Sequence, residues 1–175
     1  MDLAQLIRSI PNCPKPGVTF RDITTLLENP AGLKYTVDQM ALPFTDVRIT
    51  QVAGIEARGF ILGGAIAHQL SVGFVSIRKK GKLPWEKISI EYDLEYGTDE
   101  VEMHRDSVGP SDSVLLVDDL IATGGTACAA IQLIKETGAA IAGATFIVDL
   151  EGLGGKQKIE ALGINLHSLI SFQEE

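Results

Sequence analysis

One stretch of sequence restricts the fold more than any other. Residues 114–117 read VLLV, an uninterrupted apolar run that ends at two adjacent carboxylates, Asp118 and Asp119. A strand that is apolar throughout is typical of a strand buried on both faces, as in parallel sheets covered by helices. Strand-like and helix-like segments alternate from residue 50 to residue 170. This alternation predicts an α/β fold with a central, mostly parallel twisted sheet flanked by helices.

The spacing of the apolar residues places the individual elements. It predicts helices at 3–10, 31–42, 59–70, 126–137 and 156–162, and strands at 50–56, 73–79, 113–119, 140–150 and 164–170. Polar and apolar residues alternate in 88–97 and 99–105, which is typical of antiparallel or exposed strands. Three prolines within residues 11–16 predict a loop that runs through 11–24.

Length and composition exclude several classes of protein. The chain has 175 residues, which suits one domain with one core, and its net charge of −8 disfavours binding to a polyanion such as nucleic acid. Cys13 and Cys128 stand in unlike contexts without a CxxC or Cys/His cluster, so no disulfide framework or zinc site is expected. No apolar stretch approaches the roughly 20 residues that span a bilayer. These features predict a cytoplasmic protein that binds neither nucleic acid nor membrane.

Ligands of parallel α/β sheets bind beyond the carboxyl ends of the strands, here in the loops after residues 54, 78, 118 and 148. In the third loop the acidic pair precedes a glycine–hydroxyl turn that leads into a predicted helix: Ala122, Thr123, Gly124, Gly125 and Thr126. The free N–H groups of a helix N-terminus bind phosphate well, and glycine lets the main chain approach closely. The alternative is an ordinary helix cap formed by a threonine.

The acidic pair favours the phosphate site over the plain cap. Adjacent carboxylates beside a buried strand are unfavourable unless donors meet them, and the vicinal hydroxyls of a ribose are such donors. The 5-phosphate and the 2,3-diol of one ribose lie at opposite ends of the same small ring. We therefore expect Asp118 and Asp119 to hold the diol while the turn binds the phosphate.

The segment VDDLIATGGT, residues 117–126, resembles the signature for 5-phosphoribosyl 1-pyrophosphate (PRPP) in the type I phosphoribosyltransferases. No GxxxxGK[ST] loop is present and no GxGxxG follows a strand, so other phosphate-binding motifs do not compete. The resemblance extends in consistent order from about Ile7 to Phe172. It implies the type I phosphoribosyltransferase fold in one domain, 1–175, with a small base-covering N-terminal hood at 1–30 and a flexible two-stranded flap at 86–106.

Two other loops carry cations. Arg58 lies among small residues in the motif AGIEARGF, where a guanidinium can reach a pyrophosphate, and the alternative is a plain surface arginine. Four cations follow the next strand: Arg78, Lys79, Lys80 and Lys82. A solvated charge run or a nucleic-acid patch is the alternative there, although the patch lacks interleaved aromatic residues. The resemblance implies pyrophosphate contacts for Arg58, Lys79 and Lys82, and a site in a neighbouring subunit for Arg78.

The string LEYG, residues 94–97, lies within the predicted flap. A lone glutamate on an alternating strand is normally exposed and inert. The resembled family carries the same string in a mobile catalytic loop, which implies that Glu95 handles a purine proton and that Tyr96 lines the closed site. Such a lid also keeps water from the reactive sugar. For the loop that holds Arg58, the family implies a cis peptide bond between Glu56 and Ala57.

The acceptor base is indicated by the segment PKPGVTFRDIT, residues 14–24. It resembles the segment that covers the base in the adenine-using members of the family. Phe20 and Leu150 are thereby expected to contact the two faces of adenine. Main-chain groups near Thr19 and Arg21 would read its edge. A 6-oxopurine needs a donor such as lysine to its oxygen. The motif DLEGLGG, residues 149–155 at the end of the strand predicted at 140–150, contains no lysine.

The implied reaction is the transfer of the 5-phosphoribosyl group from PRPP to adenine, which gives AMP and pyrophosphate in purine salvage. Glu95, Asp118 and Asp119 would be the catalytic residues. Mg²⁺ would be bound mainly through PRPP and pyrophosphate, and no protein ligand is assigned to it. The family also implies a homodimer. Another purine as acceptor, or a PRPP-sensing regulator with the same core, is the alternative reading.

Overall fold

The computed structural model describes residues 1–94 and 97–173. Its strands are β1 Arg8–Pro11, β2 Thr19–Asp22, β3 Gln51–Ile55, β4 Gly73–Lys79, β5 Lys87–Asp93, β6 Thr98–His104, β7 Ser113–Val117, β8 Leu120–Ile121, β9 Ala140–Glu151 and β10 Leu166–Gln173. Its α-helices are α1 Thr24–Leu27, α2 Pro30–Ala41, α3 Arg58–Leu70, α4 Gly125–Glu136 and α5 Gly155–Ala161. Within the described ranges, no helix has both the length and the apolar character needed to cross a membrane.

The main sheet confirms the predicted parallel order. Its strands run β10-β9-β7-β3-β4-β6-β5, and β8 pairs with β9. From β10 to β4 each strand is parallel to the next one in this order, whereas β6 is antiparallel to both β4 and β5. The carboxyl ends of β3, β4, β7 and β9 therefore meet at one edge, where the candidate loops lie.

The central strand β7 shows why the sheet is covered on both faces. Val114 and Leu116 belong to the apolar cluster formed with α4 and α5, whereas Leu115 and Val117 belong to the cluster formed with α2 and α3. All four side chains are fully buried. Because successive side chains of a strand point to opposite faces, an uninterrupted apolar strand requires helices on both sides.

The predicted two-stranded flap is an antiparallel hairpin that continues the main sheet. β5 and β6 pair from Lys87↔His104 to Asp93↔Thr98. Val101 and Met103 of β6 are fully buried in the cluster that contains α4. These two side chains thus anchor the hairpin in the core.

The N-terminal segment departs from the predictions in two places. The helix predicted at 3–10 is wrong beyond its first turn: a 3-10 helix spans Leu3–Leu6, and β1 follows. The loop predicted for 11–24 contains β2, which pairs antiparallel with β1 from Arg8↔Asp22 to Pro11↔Thr19. The prolines therefore lie at the end of one strand and in the turn between two, where a missing N–H breaks no ladder bond.

Candidate active site

The acidic pair lies where β7 leaves the sheet. The N–H of Asp118 still donates to Thr145 O of β9 at 3.3 Å. The carbonyl oxygen of Asp119 accepts from the N–H groups of Ile147 and Val148, both at 3.0 Å. Asp119 is buried and Asp118 is half-buried. The pair is therefore fixed by main-chain bonds at the carboxyl edge of the parallel sheet.

Arg58 meets the acidic pair directly. Its Nε donates to Oδ2 of Asp119 at 2.5 Å. Burial alone would lower the pKa of Arg58, but the Asp119 carboxylate raises it, so the guanidinium stays charged. Gly59, the next residue of α3, makes room for the other acid, because a Cβ there would lie 2.9 Å from Oδ1 of Asp118. The predicted cation thus neutralises one carboxylate of the pair.

The ionised form of Asp118 is disfavoured in the folded chain. Burial, and then the neighbouring Asp119 carboxylate, raise the pKa of Asp118 well above its usual value. Its Oδ1 accepts the N–H of Asp119 at 2.9 Å, which offsets part of this effect. Hydroxyl donors would stabilise the ionised form further, so the pair is suited to a diol.

The glycine turn presents an uncapped helix N-terminus. Gly124 precedes α4 with φ +81°, and no side chain of a described residue caps the helix there. The threonine cap that the sequence allowed is therefore not formed. Thr126 instead directs its Oγ to the hydroxyl of Tyr92 at 3.0 Å. The first-turn N–H groups of this 12-residue helix are consequently available to an anion.

The start of α5 holds the turn in place. The N–H of Gly155 donates to Ala122 O at 3.0 Å, and Lys158 Nζ donates to Thr123 O at 2.8 Å. A Cβ on Gly155 would overlap with Ala122 O and lie 2.8 Å from the nitrogen of Gly124. Only a glycine at 155 permits this approach, so the position of the turn depends on α5.

The side chains of Arg78 and Lys82 converge on Glu56. Its carboxylate accepts from the main-chain N–H of Lys79 at 2.9 Å and from Arg78 Nε at 3.3 Å. It also accepts from Lys82 Nζ. Burial alone would raise the pKa of Glu56, but these bonds, led by that of Lys82, lower it. Lys80 differs, since its exposed ammonium pairs with Glu100 at 2.6 Å, as expected of a solvated charge.

Two further features concern the same loops. The Glu56–Ala57 peptide bond is cis, as the family resemblance implies. The ammonium of Lys79 is directed away from Glu56 and towards the hairpin, where it lies 2.5 Å from both the Tyr92 hydroxyl and Oδ2 of Asp99. The cations of the 78–82 segment therefore have two different sets of partners.

Two of the predicted base-contacting residues, Arg21 and Leu150, are neighbours of Phe172. Phe20 of β2 is exposed, with 38% of its surface accessible. Its neighbour Arg21 donates to Ser9 Oγ at 2.8 Å and places its guanidinium 4.1 Å from the ring centroid of Phe172. Phe172 pairs in register with Leu150 across β10 and β9. The two-stranded sheet is thus brought to the end of β9 that carries Leu150.

Glu95 and Tyr96 lie outside the described residues. The hairpin is closed beside them by a bond from Leu94 N–H to Gly97 O at 2.9 Å. In the described part of the chain, no group of three or more His, Cys, Asp or Glu side chains could hold a metal ion. Asp118 and Asp119 are the carboxylates that precede the phosphate turn in sequence.

Several residues at the site escaped the sequence analysis. Glu56 stands beside Arg58 in AGIEARGF, so its place in a ligand loop was a signal that could have been used. Tyr92 and Asp99 carry no local motif, and their role depends on strand register. Gly155 and Lys158 contact the turn from more than 30 residues away in sequence, since Lys158 and its partner Thr123 are 35 residues apart.

The comparisons with known proteins agree with this geometry. The model of the family described as "Phosphoribosyl transferase domain" matches residues 36–172. The chain therefore belongs to the phosphoribosyltransferase family, and the fold implied by the PRPP signature is confirmed.

Three similar proteins are adenine phosphoribosyltransferases. The adenine phosphoribosyltransferase of Rhizobium meliloti (strain 1021) is 61% identical over 172 residues, which covers 98% of this chain and 96% of that protein. The solved adenine phosphoribosyltransferase of Rhodothermus marinus superposes with a TM-score of 0.91 at 46% identity, covering 97% of this chain and 96% of the other. The APRTase of Giardia lamblia, solved with 9-deazaadenine, gives a TM-score of 0.92 at 40% identity, with 98% and 97% covered.

Gly155→Ala tests whether α5 positions the phosphate turn. The added methyl group would collide with Ala122 O and displace the turn, so we expect the affinity for ribose 5-phosphate to fall roughly 10–100-fold by calorimetry. Gly64→Ala is the matched control, because open space surrounds its Cβ in α3. The control should bind normally and be slightly more stable. Unchanged affinity in Gly155→Ala would show that the contact does not position the turn.

Asp118→Asn tests the electrostatic cost of the acidic pair. The pKa of Asp118 is higher in the folded chain than in the unfolded chain, so its stabilising protonated form is lost as pH rises through the folded value. The variant should therefore have a higher Tm than the wild type at pH 7, by a few degrees, and the difference should shrink towards pH 4.

Asp112→Asn provides a control of opposite sign. Its bonds to the Gly109 N–H and then to Thr50 lower the pKa of Asp112, so removing the charge should reduce Tm at neutral pH. An Asp118→Asn protein that is less stable than the wild type at pH 7 would contradict the cost assigned to this carboxylate.

Proposed function

We propose that this protein transfers the 5-phosphoribosyl group of PRPP to adenine, giving AMP and pyrophosphate in purine salvage. The observation that carries the proposal is the acidic pair beside an uncapped helix N-terminus, with three cations at the ends of the neighbouring strands: Arg58, Lys79 and Lys82. Together these groups complement a sugar with a phosphate at one end and a pyrophosphate at the other. The names of the relatives support adenine as the acceptor.

The ribose 5-phosphate end of PRPP binds at the acidic pair and the turn. The phosphate accepts from main-chain N–H groups at the start of α4 and from the hydroxyl of Thr123. The hydroxyl of Thr126 can donate to it as well once it gives up its bond to Tyr92. Asp118 and Asp119 accept from the ribose hydroxyls. As the bond from C1 to pyrophosphate breaks, the ring gains positive charge, and the two carboxylates stabilise it.

The pyrophosphate end binds at the cations. Each of these side chains is paired with a carboxylate of the chain: Arg58 with Asp119, Lys82 with Glu56, and Lys79 with Asp99. Pyrophosphate can replace the carboxylate partners of Arg58 and Lys82, while Lys79 stays bonded to Asp99. The cations then stabilise the negative charge that develops on the leaving pyrophosphate.

Adenine binds between the hood and the end of β9. The exposed ring of Phe20 stacks on one face of the base and Leu150 packs on the other. Main-chain groups of Thr19 and Arg21 read its edge. The contact of Arg21 with Phe172 supports this site, because it holds β2 against the strand next to Leu150.

The LEYG string completes the site. Glu95 accepts or donates the purine proton as the new glycosidic bond forms, and Tyr96 lines the closed pocket. Leu94, exposed at the hairpin tip, precedes them. Closure of this tip over the substrates excludes water, which would otherwise hydrolyse the activated sugar.

Mg²⁺ supports the reaction as a substrate-bound cofactor. When bound, it would neutralise negative charge on the pyrophosphate oxygens. Any protein contact to it would come from the carboxylates of Asp118 and Asp119. The protein's own task is to position PRPP and adenine for attack at C1.

The protein acts in the cytoplasm as a homodimer. Exposed apolar side chains cover α3 and the adjacent strand, with Ile61 51% and Phe74 39% accessible. Arg78 lies beside this face, its guanidinium 5.9 Å from the ring centroid of Phe60, so association there would bring it near a neighbouring site. Light scattering should give a mass of about twice the 18.8 kDa of the chain, and a monomer mass would contradict the proposal.

A panel of bases tests the proposed reaction. With PRPP and Mg²⁺, adenine should yield AMP and pyrophosphate, whereas hypoxanthine, guanine and xanthine should yield little nucleotide. EDTA should abolish the turnover of adenine. Formation of another nucleotide would identify a different purine acceptor, and PRPP binding without any product would identify a PRPP-sensing regulator.

Glu95→Ala tests the proton transfer. Removal of a general acid–base group should lower kcat by about 10²–10³-fold while PRPP binding is retained. Glu91→Ala is the matched control, since Glu91 is an exposed glutamate on the same hairpin. If Glu95→Ala turns over as fast as the control, Glu95 has no catalytic role.

A further inference from the structure

A single hydroxyl connects the two ends of the proposed PRPP site. Tyr92 Oη accepts from Lys79 Nζ at 2.5 Å and from Thr126 Oγ at 3.0 Å. It donates to Oδ2 of Asp99 at 3.0 Å. The same carboxylate oxygen accepts from Lys79 Nζ at 2.5 Å. The hydroxyl has its donor and both acceptor positions in use, so its place is fixed by three partners.

Strand register creates this arrangement. Tyr92 of β5 and Asp99 of β6 are directly opposite each other near the hairpin end. Lys79 ends β4, which pairs with β6 at Lys79↔Val101. The aromatic ring of Tyr92 lies on the phosphate turn, because a Cβ on Gly125 would be 3.3 Å from its Cδ2. The cross-strand pair therefore stands between the lysine and the turn.

The pair restricts the lysine ammonium strongly. Lysine has three N–H donors on a flexible stem, and free rotation would spread its charge over many positions. Two of the donors are directed to Tyr92 and Asp99, which fixes the direction of the third by tetrahedral geometry. Burial alone would lower the pKa of Lys79, but Asp99 and then Tyr92 raise it, so the ammonium is retained.

We infer that Tyr92 and Asp99 are positioning residues for Lys79, which they orient towards the departing pyrophosphate. This inference rests on the proposed function. Neither residue touches the reacting atoms, so their contribution should pass through the lysine.

Two other roles for Asp99 give different results. If the carboxylate competes with pyrophosphate for Lys79, its removal strengthens pyrophosphate binding. If it only stabilises the hairpin, its removal costs the same activity whether or not the lysine is present. A double-mutant cycle separates all three cases.

The experiment compares the wild type with Asp99→Asn, Lys79→Met and the double variant. Asp99→Asn should lower kcat/KM for PRPP by roughly 10–100-fold, the cost of a misplaced reacting group. In the Lys79→Met background the same change should have little further effect. Tyr92→Phe keeps the ring on Gly125 and should show a smaller loss with the same dependence on Lys79.

Glu100→Gln is the matched control. Glu100 is the neighbour of Asp99, and its partner Lys80 is exposed, so loss of this ion pair should leave kcat/KM unchanged. Tm is measured for each variant. A purely structural effect of Asp99→Asn would lower Tm and would cost the same activity with and without Lys79. Equal losses in both backgrounds would overturn the inference, as would a gain in pyrophosphate affinity.

Calorimetry with pyrophosphate and Mg²⁺ keeps the inference separate from the choice of acceptor base. Asp99→Asn should weaken pyrophosphate binding in the wild-type background and not in Lys79→Met. A wild-type protein that makes no AMP yet shows this pattern would contradict the proposed function alone. A protein that makes AMP with independent, additive variants would contradict the positioning role alone.

Discussion

The repulsion between two adjacent carboxylates is the constraint on which the site depends. Asp118 and Asp119 follow a strand buried on both faces, so neither can turn fully into water. Arg58 neutralises one of them, and Gly59 lets the helix that carries this arginine approach the other. The carboxyl edge of the sheet thus holds a charge pair whose remaining demand is for hydroxyl donors.

The same principle extends to the cations. Glu56 and Asp99 pair with positively charged side chains of the site. Carboxylates therefore balance this positive charge locally, although the site binds a polyanion. At Arg58 and Lys82 binding is therefore an exchange of partners, which avoids the cost of leaving buried charges unpaired. This arrangement also reconciles a strongly anionic substrate with a chain whose net charge is −8.

The sequence revealed those parts of the site that are written in one continuous segment. The acidic pair and the turn lie within ten residues, and the apolar strand before them predicts the parallel sheet. The pairing of β1 with β2 was missed because prolines suggested a loop. The contacts of Tyr92 with Asp99, and of Gly155 with Gly124, depend on register and on close approach between distant segments, which periodicity does not encode.

The contact between Gly155 and the phosphate turn has a consequence for protein engineering. At Gly124 and Gly155 the loop and the helix that supports it meet main chain against main chain. Grafting the turn alone onto another scaffold would transfer the motif without the helix that holds it in position. A redesign of substrate preference at this end must move both segments as one unit.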